Sequence, residues 1–384
     1  MKHHLYNKEF NFVKKPVEFN LNSARELLQY ALGATLYMPG TKDISDKIIS
    51  HSMPEITSMV MCFEDAIKET ELEEAENNVL KHLDTLHNAI INGTITENDV
   101  PLTFVRVRDA QQFEKFANKL DNFTSHLLAG FVFPKFSNGN GGLYLSIFHA
   151  LSKRIDSPLY CMPLLEGKAV AYKESRQREL NGLRQLLSPF KDVILNIRVG
   201  ATDISSLFGV RRGINYSIYD ILTVKETLSD ILNFFGRTED NYTISGPVWE
   251  YFLVDSKDNI SLILKKNLHI SLMNRNPILN EAIDGLLREV ILDKANGFVG
   301  KTIIHPSHAR FVNAMQAITE EEYNDALQII DNSGGVIKSA AANKMNEINP
   351  HRSWAKKIIM CAEVYGVVEN DISYLKLITG LNEE

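Results

Sequence analysis

Eight short apolar runs recur along this chain, and most end in a charged or turn-forming residue. They are Thr35–Met38, Ser58–Phe63, Leu102–Val107, Gly130–Phe133, Leu159–Leu165, Val193–Val199, Tyr242–Ser245 and Phe298–Ile304. Nearly every residue in them is apolar, as in parallel strands covered on both faces. Helical-period segments lie between them, among them Glu71–His87, Ala110–Lys119, Gly142–Lys153 and Lys173–Leu187. Such alternation predicts an α/β fold with a parallel sheet. Eight repeats suit a closed TIM (β/α)8 barrel. Six or seven would suit an open doubly wound sheet equally, and Tyr242–Ser245 is the weakest run.

The 384 residues accommodate one barrel of roughly 250 residues plus extensions, or two smaller domains. The expected division is a lead-in over 1–30, a barrel over 31–318 with an insertion within about 210–290, and a helical extension over 319–384. A short helix is expected near Ser23–Leu32. In the extension, Thr319 and Glu322 are spaced as a capping box, and Pro350 sits where the first turn of a second helix tolerates it. This part is expected to pack on the barrel mouth or on a neighbouring subunit.

The net charge of −7 offers no basic footprint for nucleic acid. The three cysteines form no Cys-x-x-Cys pair, so neither a zinc site nor a disulfide framework is indicated. No apolar stretch is long enough to span a membrane, and the first residues lack the apolar run of a signal peptide. A cytoplasmic protein with no membrane partner is expected.

In barrels the active site sits at the C-terminal ends of the strands. The runs end in Pro39-Gly40, Glu64-Asp65, Arg106 with Arg108, Pro134-Lys135, Glu166, Gly200-Ala201-Thr202-Asp203 and His305-Pro306. Carboxylates from separate strands can hold a hard cation through oxygen. An arginine beside them can clamp a carboxylate with two parallel hydrogen bonds. Together they suit binding a 2-oxo acid and stabilising an enolate. Gly297–Thr302 looks like the tail of a P-loop, but the spacing needs glycine where Ala295 stands, and Ile303-Ile304-His305-Pro306 continues as strand rather than helix.

Over about residues 30–310 the chain resembles the HpcH/HpaI aldolase and citrate lyase β-subunit superfamily. The matching segments, in family order, are Thr35–Gly40, Cys62–Ile67, Phe104–Val107, Gly130–Lys135, Pro163–Glu166, Gly200–Ile204 and Gly297–Pro306. The extended C-terminal part resembles a divergent C–C bond lyase branch, often encoded near tellurium-resistance and stress genes. The resemblance implies a barrel of the phosphoenolpyruvate/pyruvate-binding type, Mg²⁺ as cofactor, a small oxo or hydroxy acid as substrate, and a homo-oligomer. It implies Glu166 and Asp203 as metal ligands, and Arg106 as the group binding the substrate carboxylate or oxo oxygen. Glu64 and Asp65 would orient that arginine and metal-bound water, while Gly200, Ala201, Thr202 and His305 would lie at the substrate. Lys135 matches a lysine at the mouth. Lys301 matches the last-strand motif.

Three departures from the family pattern are Arg108 for asparagine, Gly167 for threonine, and Asn343–Glu347 for a Gly-Lys-Met-Ile-Asp motif whose acid acts from a neighbouring subunit in some members. Glu347 stands where that acid would be, so coenzyme A thioester chemistry does not carry over automatically. Simpler readings coexist with these roles. Glu166 and Asp203 can be solvated carboxylates, Arg106 a structural ion pair, and Lys135 either a salt-bridge partner or a Schiff-base nucleophile. His305 can be a base or a histidine bonded to the backbone, and Glu347 a polar helix start. At the level of the whole protein, the alternative to a lyase is a barrel kept as a non-catalytic or weakly catalytic subunit of a stress-response complex.

Overall fold

The computed structural model describes residues 1–252, 268–275 and 278–380. Seven parallel strands form one sheet: β1 (Ala34–Pro39), β2 (Ser58–Cys62), β3 (Leu102–Arg106), β4 (Leu128–Phe133), β5 (Tyr160–Leu165), β6 (Arg198–Val199) and β7 (Lys301–Ile303). Their order is β6-β5-β4-β3-β2-β1-β7. Residues 243–246 lie between the two outer strands and join them. Ile197 N–H donates to the Thr243 carbonyl at 2.9 Å and Ser245 N–H to Ile197 at 3.0 Å. On the other side, Gly246 N–H donates to Gly300 at 3.0 Å and Val299 N–H to Ile244 at 2.8 Å. These bonds close the ring as a TIM barrel. The closing segment makes only isolated bridges, Ile197 with Ile244 and Gly246 with Lys301, which is why its sequence signal is weak.

The sixth predicted run, Val193–Val199, is regular only at Arg198–Val199. Its earlier part reaches β5 through a single bridge between Ile194 and Cys161, and Asn196 turns its side chain to Thr243 at 3.0 Å. Gly130 explains the tight seam between β4 and β5. Its φ is 148°, and a Cβ there would collide with the Tyr160 carbonyl.

The helices cover the ring with the periodicity their sequences carry. Leu72–Ile91 buries Ala75, Val79, Leu83 and Leu86, one face of a 3.6-residue repeat. Each large aliphatic side chain so buried contributes about 1.5–3 kcal/mol. Ala110–Ala117 begins at Asp109, whose side chain caps Gln112 N–H, and its Phe113 ring lies 4.7 Å from Phe131 of β4.

Within this chain the C-terminal part, expected on the barrel mouth or on a neighbouring subunit, packs away from the mouth. Helix Ile348–Tyr365 packs against helix Glu320–Asp331 and against helix Arg25–Ala31, which feeds the start of β1. Lys357 Nζ donates to the carbonyl of Gly297, just before β7, and the Tyr365 hydroxyl donates to Tyr30. The apolar face of this helix (Ile348, Ala355, Ile358, Ala362) therefore buries at the end of the barrel opposite the mouth. The Thr319–Glu322 capping box is present. Residues 253–267 and 276–277 of the expected insertion, and 381–384 of the expected extension, lie outside the described residues. Among the described residues no helix is long and apolar enough to cross a membrane.

Candidate active site

Side chains alternate along a strand, so every second residue faces the barrel interior. On β1, Thr35 and Tyr37 face inward, on β2 Ser58 and Cys62, and on β6 Arg198. The hydrogen bonds record this. Ser58 Oγ donates to Thr35 Oγ1 at 3.1 Å, and Arg198 donates to Thr35 Oγ1 at 3.2 Å and to Thr302 Oγ1 at 2.5 Å. Lys301, next to Thr302 on β7, must then point outward. It meets Glu289 at 3.1 Å and Asp293 at 2.7 Å on helix Glu281–Asn296, fully buried. Its part of the last-strand motif is thus a link between barrel and helix.

At the C-terminal ends of the strands lies a cleft of about 370 Å³, lined by Tyr37, Arg106, Glu166, Gly200, Asp203 and Thr302 among others. A larger cavity, about 780 Å³, lies at the opposite end among Gly297, Thr319, Lys344 and Lys357, and neither Glu166 nor Asp203 lines it.

Arg106 organises one wall. Its guanidinium lies 3.1 Å from Glu64 and 3.1 Å from Asp65, and its Nε donates to Cys62 Sγ at 3.1 Å. Lys135 Nζ pairs with Glu64 and stands 3.8 Å from Asp65. Burial pushes the Glu64 carboxyl up, against the pull of Arg106 and Lys135. Burial acts the same way on Asp65, but there the Arg106 guanidinium and Lys135 prevail and hold it below the usual carboxylate range. Burial works against the Lys135 ammonium, yet Glu64 and Asp65 hold it charged. A protonated lysine is no nucleophile, so this setting disfavours a Schiff base.

Glu166 closes the floor. It is 3% exposed and accepts the backbone N–H of Lys135 at 3.0 Å. Lys135 reaches that position with a φ of 47°, the left-handed region. Burial, then the Asp203 carboxylate, push the Glu166 carboxyl up to about 8. Asp203 lies in the first turn of helix Ala201–Ser206 and is half-buried. Gly200 allows the two elements to meet, because a Cβ there would strike the Glu166 side chain. A buried carboxyl whose proton affinity is raised by a neighbouring carboxylate forms with it a donor set suited to a cation. Their hard oxygens fit Mg²⁺, although no cluster of three or more His, Cys, Asp or Glu is preformed among the described residues.

The other candidates distribute unevenly. Thr202 lines the cleft and donates to Glu250 at 2.8 Å, whereas Ala201 is buried beneath its helix. His305 does not line the cleft. Its ring stacks on Phe252 at 4.5 Å, and its Nδ1 is 2.6 Å from Ser307 Oγ. Glu347 lies in a short antiparallel pair with 336–338, just before helix Ile348–Tyr365, and is not part of the cleft of its own chain. Conversely, Cys62, Tyr37 and Thr302 line the cleft and Arg198 is bonded to Thr302 beneath it, and none of them is among the candidates the sequence offers. Their signal is positional: inward-facing residues of strands whose ends already carried candidates.

The family of C–C bond lyases of the TIM-barrel fold matches residues 26–367. The chain belongs to that family. It is therefore a carbon–carbon lyase, and the resemblance to citrate lyase β-subunits extends to structure. CitE from Mycobacterium tuberculosis, in complex with magnesium, acetoacetate and coenzyme A, has a TM-score of 0.53 at 15% identity, over 87% of this chain and 99% of that one. RipC from Yersinia pestis gives 0.45 at 12% identity over 75% and 95%. A citrate lyase β-subunit from M. tuberculosis with oxaloacetate and magnesium gives 0.44 at 16% over 74% and 96%. No curated protein matches the sequence.

Proposed function

We propose that this C–C bond lyase is Mg²⁺-dependent and cleaves a small 2-oxo or 3-hydroxy acid, or its ester, thioester or conjugate, through an enolate. The observation that carries this reading is the Glu166–Asp203 pair beside Arg106 in one cleft. Glu166 and Asp203 would hold the metal. When bound, Mg²⁺ supplies Lewis-acid stabilisation of developing negative charge, worth several kcal/mol.

The remaining roles fall to the protein. Arg106 is pinned by Glu64, Asp65 and Cys62, so its guanidinium needs little reorganisation to meet a carboxylate or oxo oxygen. Lys135 pairs with Glu64 beside it and, through its N–H, positions the Glu166 carboxyl group. Thr202 and Glu250 form a polar rim where a larger substrate portion would leave the cleft.

The test is calorimetry of oxaloacetate and pyruvate, with and without Mg²⁺, on the wild type and Glu166→Gln. Metal-dependent binding that disappears in the variant is the expected result. Binding independent of both metal and Glu166 overturns the assignment. A homo-oligomer is part of the same reading, and light scattering that finds only 43.4 kDa particles removes it.

A further inference from the structure

The groups already assigned leave the enolate carbon without a proton source. Most titratable side chains of the cleft are engaged. Asp65 and Arg106 pair with one another, the Cys62 sulfur accepts from Arg106 and from Glu64 N–H, and Glu166 with Asp203 form the carboxylate pair. Lys135 is held by Glu64 and Asp65. His305, outside the cleft, is tied to Ser307. Tyr37 differs. It lines the cleft, and its hydroxyl makes no hydrogen bond to any described residue.

Its surroundings are equally specific. The guanidinium carbons of Arg106 and Arg198 lie 5.8 Å and 5.5 Å from the Tyr37 ring centroid. Arg198 is 1% exposed, is held by the hydroxyls of Thr35 and Thr302, and pairs with no carboxylate among the described residues. A buried guanidinium without a counter-ion is costly to keep. It is rationalised when negative charge develops beside it during turnover. Thr35 and Tyr37 are two residues apart on one strand, so the phenol sits one layer nearer the mouth than the Arg198 anchor.

We propose that Tyr37 is the catalytic acid that protonates the enolate carbon, with Arg106 and Arg198 stabilising the phenolate it leaves. The inference rests on the enolate reading given above. On cleavage, the C–C bond breaks and its electron pair enters the enolate, while the carbinol oxygen becomes a carbonyl and releases its proton to water at the open mouth. Tyr37 then transfers its phenolic proton to the enolate carbon, forming a C–H bond, and water reprotonates the phenolate. One proton leaves and one returns, so no further reactant is needed.

The test uses the full chain, Mg²⁺ and pyruvate in D₂O, since the reverse of the protonation step washes deuterium into the methyl group. Proton NMR follows the exchange, and calorimetry follows binding. Wild type is expected to exchange, and Tyr37→Phe to exchange at least about 100-fold more slowly while still binding pyruvate. Tyr37→Phe removes only a hydroxyl with no hydrogen-bond partner among the described residues, and an unchanged melting curve verifies its fold. Exchange by Tyr37→Phe at the wild-type rate overturns the role of Tyr37 and leaves the enolate reading intact. Wild-type binding without exchange overturns it as well. Absence of any Mg²⁺-dependent pyruvate binding in the wild type removes both the inference and the reading beneath it.

Discussion

Gly200 and Glu166 touch so closely that position 200 has no room for a side chain: a Cβ would meet both the carboxylate and the Cβ of Glu166. Gly200 has an ordinary φ of −97°, so the requirement is steric and not conformational. Gly200→Ala is expected to displace the Glu166 carboxylate, weakening Mg²⁺ binding at least tenfold and costing about 1–3 kcal/mol of stability. Calorimetry and denaturant unfolding check the two parts. Wild-type Mg²⁺ affinity in the variant would separate Gly200 from the metal site.

Arg106 and Glu64 are both buried, so removing one strands the other. Arg106→Ala is expected to cost about 3–5 kcal/mol, because the Glu64 carboxylate loses its main counter-charge. Adding Glu64→Gln should return part of that stability without returning turnover. A double-mutant cycle in urea, run alongside an activity assay, distinguishes an ion pair kept for the fold from one that positions the guanidinium. Full recovery of turnover in the double variant would remove Arg106 from the reaction.

Lys301 makes its contacts outside the cleft. Lys301→Met is expected to leave Glu289 and Asp293 buried with one fewer cation, although Arg212 still pairs with Glu289 and the Tyr219 hydroxyl with Asp293. The expected loss is about 3–5 kcal/mol, read as a lowered urea midpoint. A lysine acting at the substrate would instead show wild-type stability and lost binding.

Stability should fall in mild acid. His4 is buried, with Nε2 3.0 Å from the Tyr365 carbonyl, and burial depresses its pKa to about 3. Burial likewise lowers His308 to about 4. The unfolded chain binds these protons near pH 6.5 and the folded chain does not, so their contribution is complete above that pH and is lost as pH falls below it. One such group costs about 2 kcal/mol between pH 7 and pH 5. Urea midpoints across that range should decline, and His4→Gln should flatten the slope.

The strands were legible where burial on both faces left an uninterrupted apolar run, as in β2 and β4. They were less so where polar residues interrupt the run. Asn196 spends its amide on Thr243, and residues 243–246 hold their place through backbone bonds and a packing role that no side-chain pattern announces. The site was legible in proportion to strand position. Arg106, Glu166 and Asp203 ended recognisable strands, and the fold brings all three to one cleft. His305 ended one too, but the His-Pro turn carries its ring away to Phe252.

What the sequence alone determined is the alternation of buried strands with covering helices, and so the end of the sheet where the charged residues gather. Period and burial are properties of local composition. Only the tertiary structure decided that Lys301 faces a helix while Thr302 faces the barrel, and that Arg198 lies beneath Tyr37 with no carboxylate partner among the described residues. It also decided that helix Ile348–Tyr365 closes the end away from the cleft. Those outcomes depend on which faces meet when the ring closes, and contacts between residues distant in the chain set that register.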